Sequence, residues 1–517
     1  MTNENKRVAK AAGVIGIFTL LSRIFGFIRD MVVAWFFGAG MLTDAFFVAF
    51  RIPNLLRRLL AEGSLSMAFV PVFTEYLTQK GKTEAFTMAR SVLRVLSVVL
   101  VLISVIGIIA APEIVRIMAP GFDGEKYQLT VTLTRIMFPY IFFVCLVALC
   151  MGILNVLGHF AAPALAPVFL NLAIIGAALF ISPFLKHPVT GLAIGVLIGG
   201  ILQLGLQVPF LIKKGLFFWK KAPFFHPGVK RIIILMGPAV LGAAVQQINL
   251  FIGTLLASLL PDGSISYLYY ADRLVEFPLG ILAISLSVAV LPTFSRQASG
   301  KNLSEWKKTF TYAMNLTFFI TLPALVGLMI LSQPIIKLLL QHGEFNPRAT
   351  VLTAQALVYY STGLWAFSAV RILLSAFYSL QDTTTPFKVA TISVITNILL
   401  SIALMGPLLH CGLALATALA SMVNVVLLTY CLRKKIGAIG GKKIVESVAK
   451  SMICSIAMGI GLFCLTCLLP ISDNTSFLKM VWIVTLDIAA GISIYGLIAY
   501  IIGCRELKHI FTLLKKG

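Results

Sequence analysis

The sequence predicts an all-α polytopic membrane protein of about fourteen transmembrane helices, arranged as two pseudo-symmetric six-helix lobes plus two C-terminal helices. Three observations predict it. Hydrophobic residues make up 59% of the 517 positions and charged residues only 12%, with a mean hydropathy of +0.98; a soluble domain carries about 25% charged residues. Apolar runs of membrane length follow one another along the chain, joined by short links whose basic content alternates. Fragments of sequence also recur at a spacing of about 222 residues.

The runs centre near Gly16, Arg57, Val99, Cys145, Ile174, Leu197, Val245, Leu282, Ile320, Leu364, Ile395, Leu419, Ile460 and Ala489. Each holds roughly 20 apolar-rich residues, enough to cross a ~30 Å hydrocarbon core. Helix one follows a basic start and lacks a small-residue cleavage site, so it reads as a span rather than a signal peptide. In helix six, Gly191, Gly195 and Gly199 form a small-residue ladder for close helix packing. Gln246, Gln247 and Asn249 in helix seven either line a cavity or bond between helices, and Arg371 in helix ten is isolated. Helices thirteen and fourteen are strongly apolar, with Gly459, Gly461 and Gly491 allowing close approach.

The links decide orientation. Those after even-numbered helices carry Lys80 and Lys82; Lys213, Lys214, Lys220, Lys221, Lys230 and Arg231; Arg296, Lys301, Lys307 and Lys308; and Arg433, Lys434, Lys435, Lys442 and Lys443. The start has Lys6, Arg7 and Lys10, and the end Arg505, Lys508, Lys515 and Lys516. The other links are nearly bare. Basic loops stay in the cytoplasm, so both termini are expected there. The net charge of +23 sits in these clusters, which suits an anionic membrane surface and not nucleic acid. The eight cysteines fall in or beside apolar runs, and Cys464 and Cys467 have no histidine near them. No disulfide framework, metal site, catalytic cluster or cofactor is expected.

The repeat divides the chain into 1–215, 216–440 and 441–517. Phe69-Val-Pro-Val-Phe73 recurs as Val290-Leu-Pro-Thr-Phe294, Pro112-Glu-Ile-Val-Arg-Ile-Met as Pro334-Ile-Ile-Lys-Leu-Leu-Leu, and Arg51 falls opposite Arg273. Six helices per copy leave both copies in the same orientation, related by an axis along the membrane normal.

Charge inside the spans points to function. Helix one carries Ser22, Arg23, Gly26, Arg29 and Asp30; helix two Asp44, Arg51, Arg57, Arg58 and Glu62; helix eight Ser266, Asp272, Arg273 and Glu276. A charge at bilayer depth costs from ~3 to ~10 kcal/mol or more, so these groups should pair or face water. Asp44, Arg51 and Arg58 recur every seven residues and should share a face. Buried ion pairs would account for Asp30, Asp272 and Arg58. Basic residues outnumber acidic ones in the set, however, and an excess of arginine suits a mobile anion. The planar guanidinium fork matches phosphate, and a diphosphate offers several acceptors. Gly26, Gly38, Gly40, Pro53 and Pro278 predict bent helices around a cavity.

Ser22-Arg-Ile-Phe-Gly-Phe-Ile-Arg-Asp30, Phe37-Gly-Ala-Gly-Met-Leu-Thr-Asp-Ala-Phe-Phe-Val-Ala-Phe50, Pro53-Asn-Leu-Leu-Arg-Arg58, Ala61-Glu-Gly-Ser and Tyr269-Tyr-Ala-Asp-Arg-Leu-Val-Glu-Phe-Pro278 closely resemble the MurJ (MviN) family of bacterial lipid II flippases, in the MOP exporter superfamily. The resemblance covers essentially the whole chain. It implies no enzyme activity, but transfer of lipid-linked peptidoglycan precursor to the outer leaflet of the bacterial inner membrane. Lipid II and membrane lipids are then the partners, with cell-wall synthesis proteins as candidates. It also implies a central cationic cavity in which Arg23, Arg29, Arg57 and Arg273 bind the substrate, with Asp44, Glu276, Ser22 and Ser266 beside them and Gly26, Asp30, Arg51 and Asp272 in support. The last two helices would take the polyprenyl tail. Helices seven, eleven and twelve contain no Asp or Glu, so sodium coupling through them is not expected and membrane potential is the expected drive. The alternatives are a flippase for another polyprenyl-diphosphate-linked oligosaccharide, or a membrane glycosyltransferase. A drug antiporter fits poorly, since an arginine-rich cavity repels cations.

Overall fold

The computed structural model describes residues 3–300, 302–472 and 475–507. Lys301, Lys508, His509, Lys515 and Lys516 lie outside the described residues, as do the side chains of Lys6, Arg7, Lys10, Glu62 and Gln246. The described residues form helices and turns, with no strand among them.

Two compact units divide at Gly263 and Ser264. The first holds α1 (Asn3–Phe37), α2 (Met41–Arg57), α3 (Ser66–Gln79), α4 (Gly81–Ile109), α5 (Ala111–Met118), α6 (Gly124–Met137), α7 (Tyr140–Val156), α8 (Ala161–Phe180), α9 (Thr190–Lys213) and α10 (Pro227–Ser258). The second holds α11 (Ser264–Pro278), α12 (Ser285–Ser299), α13 (Leu303–Ile330), α14 (Ser332–Leu340), α15 (Pro347–Ser361), α16 (Leu364–Ser379), α17 (Thr384–Leu408), α18 (His410–Ile436), α19 (Gly441–Leu468) and α20 (Phe477–Ile502).

The element order repeats. A long helix (α1, α10) leads to a span broken by a wide π-helical turn, Arg58–Leu65 between α2 and α3 and Leu279–Ile284 between α11 and α12. Then come a long helix (α4, α13), a short one (α5, α14), a two-part span (α6 with α7, α15 with α16) and two long helices (α8 and α9, α17 and α18). Only α19 and α20 have no counterpart. Prolines stand on both sides of each wide turn, Pro53 and Pro71 in one copy and Pro278 and Pro292 in the other. Each removes a backbone donor from the helical ladder.

Nine stretches among the described residues are long and apolar enough to cross a membrane, and α15 with α16, bent by 42°, makes a tenth. The other four expected crossings coincide with the helical stretches at 3–37, 41–79, 227–258 and 264–299. The structure is compatible with fourteen spans.

The recurring Phe69–Phe73 and Val290–Phe294 segments are core in both copies: Phe73 and Phe294 are fully buried. Phe73 stacks on Phe86 at 6.4 Å, while Phe294 meets Trp306 at 5.0 Å. Trp306 donates its indole N–H to Ser379 Oγ at 3.1 Å, which satisfies the polar atom of a buried ring. The glycine ladder of α9 packs on α8: a Cβ at Gly191 would lie 2.3 Å from Ser182 Oγ, and one at Gly195 2.6 Å from Ala177 Cβ. The helix-packing role read from the sequence is what these glycines do.

Candidate functional site

The intramembrane charges form separate groups, each built by a local helical reason. In the first unit α1 runs unbroken through Gly26 and stops only at Gly38, whose φ of +63° leaves the helical region. Gly26 faces Asn171 of α8, whose amide nitrogen would lie in ordinary contact, 3.5 Å, with a Cβ there. Asn171 donates to the Ser22 carbonyl at 3.2 Å and accepts from Arg29 Nη1 at 3.1 Å. Arg29 also donates to Asp30 Oδ1, from Nε at 3.0 Å and Nη2 at 2.6 Å. Both residues are buried, Arg29 8% and Asp30 3% exposed. For Asp30 the ion-pair reading holds, and Arg29 is engaged inside the unit. Arg23 is exposed and Ser22 half-buried. Asn171 escaped the sequence reading, since one amide in an apolar run gives no sign of its partner.

The second group joins α2, α6 and the end of α10. Asp44, 1% exposed, accepts at Oδ2 from Lys126 Nζ at 3.0 Å and from the Gly263 N–H at 2.7 Å. Lys126 also reaches Asp262 Oδ1 at 2.6 Å, and its ammonium lies 4.0 Å from the Phe122 ring centroid. One turn back on α10, Thr254 Oγ1 accepts from Arg51, and the Gly121 N–H donates to Ser258 Oγ at 3.3 Å. Asp44 and Arg51 thus fasten α10 to the first unit. Lys126 read from sequence as a link residue; only the fold shows it buried.

The seven-residue face of helix two does not stay uniform. Asp44 is buried, Arg51 half-buried and Arg58 exposed, and Arg58 opens the wide turn. Arg58 still keeps the helical register, its N–H bonding to the Asn54 carbonyl, so the three differ in burial along the helix and not in spacing. Arg57, half-buried, donates from Nε to Asn54 Oδ1 at 3.1 Å. Gln247 is buried, and Asn249 half-buried.

In the second unit Arg273 sits on α11 with its guanidinium carbon 5.0 Å from the Tyr269 ring centroid. It donates to the Tyr269 hydroxyl from Nε at 3.3 Å and Nη2 at 3.1 Å, and from Nη1 to Glu276 Oε2 at 2.9 Å. The group is partly exposed, the Arg273 side chain at 39%. The aromatic face orients the guanidinium, while Glu276 balances its charge. Asp272 and Glu276 are exposed, Ser266 is fully buried, and Arg371 is exposed on α16.

Two further acids were missed. Asp382, between α16 and α17, meets Lys435 Nζ at 2.7 Å. Burial raises its carboxyl, but hydrogen bonds from Lys435, the Thr385 N–H and the Thr385 hydroxyl outweigh that and hold it at about 2. Asp487 on α20 is fully buried, and neither carboxyl oxygen has a hydrogen-bond partner among the described residues. It interrupts the apolar run of helix fourteen. The glycines beside it pack helices: a Cβ at Gly459 would lie 2.8 Å from Val326, one at Gly461 2.7 Å from Ile494 and one at Gly491 3.2 Å from Leu462.

The family model described as "Lipid II flippase MurJ" matches residues 33–482. The chain is 40% identical over 430 residues to "Lipid II flippase MurJ" of Burkholderia cenocepacia, covering 81% of this chain and 82% of that one. It is 37% identical over 513 residues to "Probable lipid II flippase MurJ" of Buchnera aphidicola subsp. Schizaphis graminum, covering 98% and 99%. Among solved structures it matches "Lipid II flippase MurJ, inward closed conformation" with a TM-score of 0.80 and 30% identity, over 94% of this chain and 98% of that one. An inward-facing multidrug MATE transporter of the MOP superfamily shares the fold at 17% identity and a TM-score of 0.68, over 83% and 99%.

Proposed function

Because this chain belongs to the MurJ family of lipid II flippases, we propose that it carries lipid II across the bacterial inner membrane by alternating access, as a transporter and not an enzyme. The observation that carries this reading is the family match along 33–482, which includes charged helices two and eight. Rescue of cells depleted of their own lipid II flippase tests it. Failure of a well-inserted protein, together with rescue of a strain lacking a polysaccharide-precursor flippase, would instead favour another polyprenyl-diphosphate-linked substrate.

Arg23, Arg57 and Arg273 are the proposed ligands of the substrate diphosphate. Exposure supports Arg23, partial exposure supports Arg57 and Arg273, and the stacked guanidinium makes Arg273 the firmest. Arg29, held by Asp30 and Asn171, is assigned to shaping α1 for Arg23. Ser22, Glu276 and Ser266 are grouped with the ligands, Gly26 and Asp272 with their support, and Asp44 and Arg51 with the seating of α10. The lobes are proposed as 1–215 and 216–440, with 441–517 added. Exposed Ile456, Ile460 and Phe463 of α19 support a tail-binding face there.

Both termini are proposed to be cytoplasmic, with the link 213–231, because basic residues concentrate in these segments. Cysteines placed in the link should resist an impermeant reagent added outside intact cells, and labelling there would reverse the orientation. Membrane potential is the proposed drive, and its collapse should stop flipping in vesicles.

A further inference from the structure

A cavity of about 440 Å³ lies between α4 and the link after α9, lined by Arg90, Arg94, Ser97, Phe218 and Phe224 among others. A groove of about 730 Å³, lined by Val95, Val99, Ile233 and Ile234 of α4 and α10, shares Val98 and Phe224 with it. The two spaces therefore adjoin at these residues, one cationic and one apolar. Arg90 is only 8% exposed. Its Nη2 donates to Thr87 Oγ1 at 3.0 Å, one turn back on the same helix, while its buried Nε has no hydrogen-bond partner among the described residues. Arg94 donates to the carbonyls of Ala222 and, at 3.2 Å, Lys220, so it ties the link over the cavity. Lys230 adds a third cation at the groove, and no carboxylate among the described residues lines either space.

A buried guanidinium with an orphaned donor is expensive unless an anion completes it. The surrounding link fixes what kind of anion. Phe225 is 98% exposed and Trp219 68%, and Lys220 lies over Phe217 at 5.3 Å. Exposed aromatic rings interleaved with lysines belong at the headgroup level of a membrane. An occupant must thus present a negative group to Arg90 at that level and an apolar chain to the groove beside it.

We propose that this site binds an anionic phospholipid of the surrounding membrane, its phosphate on Arg90 and Arg94 and an acyl chain along Val95, Val99 and Ile233. It is a lateral lipid site, formed wholly within the first unit. It involves none of the arginines assigned to the transported substrate.

Native mass spectrometry of the full-length protein, titrated with phosphatidylglycerol or phosphatidylcholine of the same chains, tests this. The parent protein should retain phosphatidylglycerol preferentially. Arg90→Gln should weaken that retention about tenfold, the equivalent of one charge-assisted hydrogen bond. Arg90→Lys, which keeps a charge and guards against misfolding, should lose less. Val98→Trp, which fills the junction of the two spaces, should weaken phosphatidylglycerol binding by a similar factor. Unchanged retention in Arg90→Gln and Val98→Trp would overturn the proposal. So would inorganic phosphate competing as well as the lipid, which would make this a plain anion site. Displacement by a polyprenyl diphosphate at lower concentration than phosphatidylglycerol would also overturn it, in favour of a substrate site. That last result would leave the transport reading intact, whereas failed rescue of depleted cells would leave the lipid site intact.

Discussion

The buried ammonium of Lys126 lies 3.0 Å from Asp44 Oδ2, and the same oxygen accepts the Gly263 N–H at 2.7 Å. Removing one partner strands a charge where water cannot reach it. Lys126→Met should therefore destabilise the protein by about 3–5 kcal/mol, and the double variant with Asp44→Asn by less than the sum. Thermal unfolding in detergent reads this directly. Additive single effects would mean that Asp44 and Lys126 are not coupled.

Asp487 has the opposite sign. Its two oxygens are buried without a partner among the described residues, so an apolar residue of similar size removes a penalty. Asp487→Leu should raise stability by about 1–3 kcal/mol, visible as a higher melting temperature. A lower melting temperature would show that the carboxyl is being satisfied.

The Asp382–Lys435 contact predicts a pH dependence. The folded carboxyl, at about 2, lies below the ~3.9 of an unperturbed Asp. Its stabilisation is complete above about pH 4 and lost as pH falls towards 2. Lys435 is 43% exposed, so screening holds the effect to about 1 kcal/mol. Asp382→Asn should be less stable than the parent at pH 6, with the gap closing in acid. An equal gap at pH 6 and pH 3 would refute the linkage.

Arg273 offers the sharpest transport test. Arg273→Ala should lower flipping in vesicles by ten-fold or more, the loss of about 1.5–3 kcal/mol of charge-assisted bonding. Arg273→Lys should recover only part, because it keeps charge but loses the fork. Tyr269→Phe should have a smaller effect, since the ring remains. Full flipping by Arg273→Ala at normal membrane levels would remove Arg273 from the substrate site.

Sequence revealed the helices because hydrophobic length is a local property, and it revealed the repeat because core motifs such as Phe69–Phe73 recur. Arg273 stood out as a charge in an apolar run. Pairing could not be read the same way. Asn171 sits 142 residues from Arg29, and Lys126 is 82 from Asp44, separations that only packing closes. Seven-residue spacing placed Asp44, Arg51 and Arg58 in one register but could not say that burial falls from Asp44 to Arg58 along it. Asp487 was visible as an acid but not as an orphan, since solitude depends on every neighbour.

The wide turns at Arg58–Leu65 and Leu279–Ile284 bear on the ancestry of the chain. A π-turn holds one residue more than an α-turn, and each α-helical residue turns the chain by about 100°. Deleting one residue from either stretch would swing α3 or α12 round and take Phe73 or Phe294 out of its core. Once present, such an insertion is locked in. One insertion before an ancestral half-length gene doubled accounts for both copies, where separate origins would need the same accident twice at matching positions.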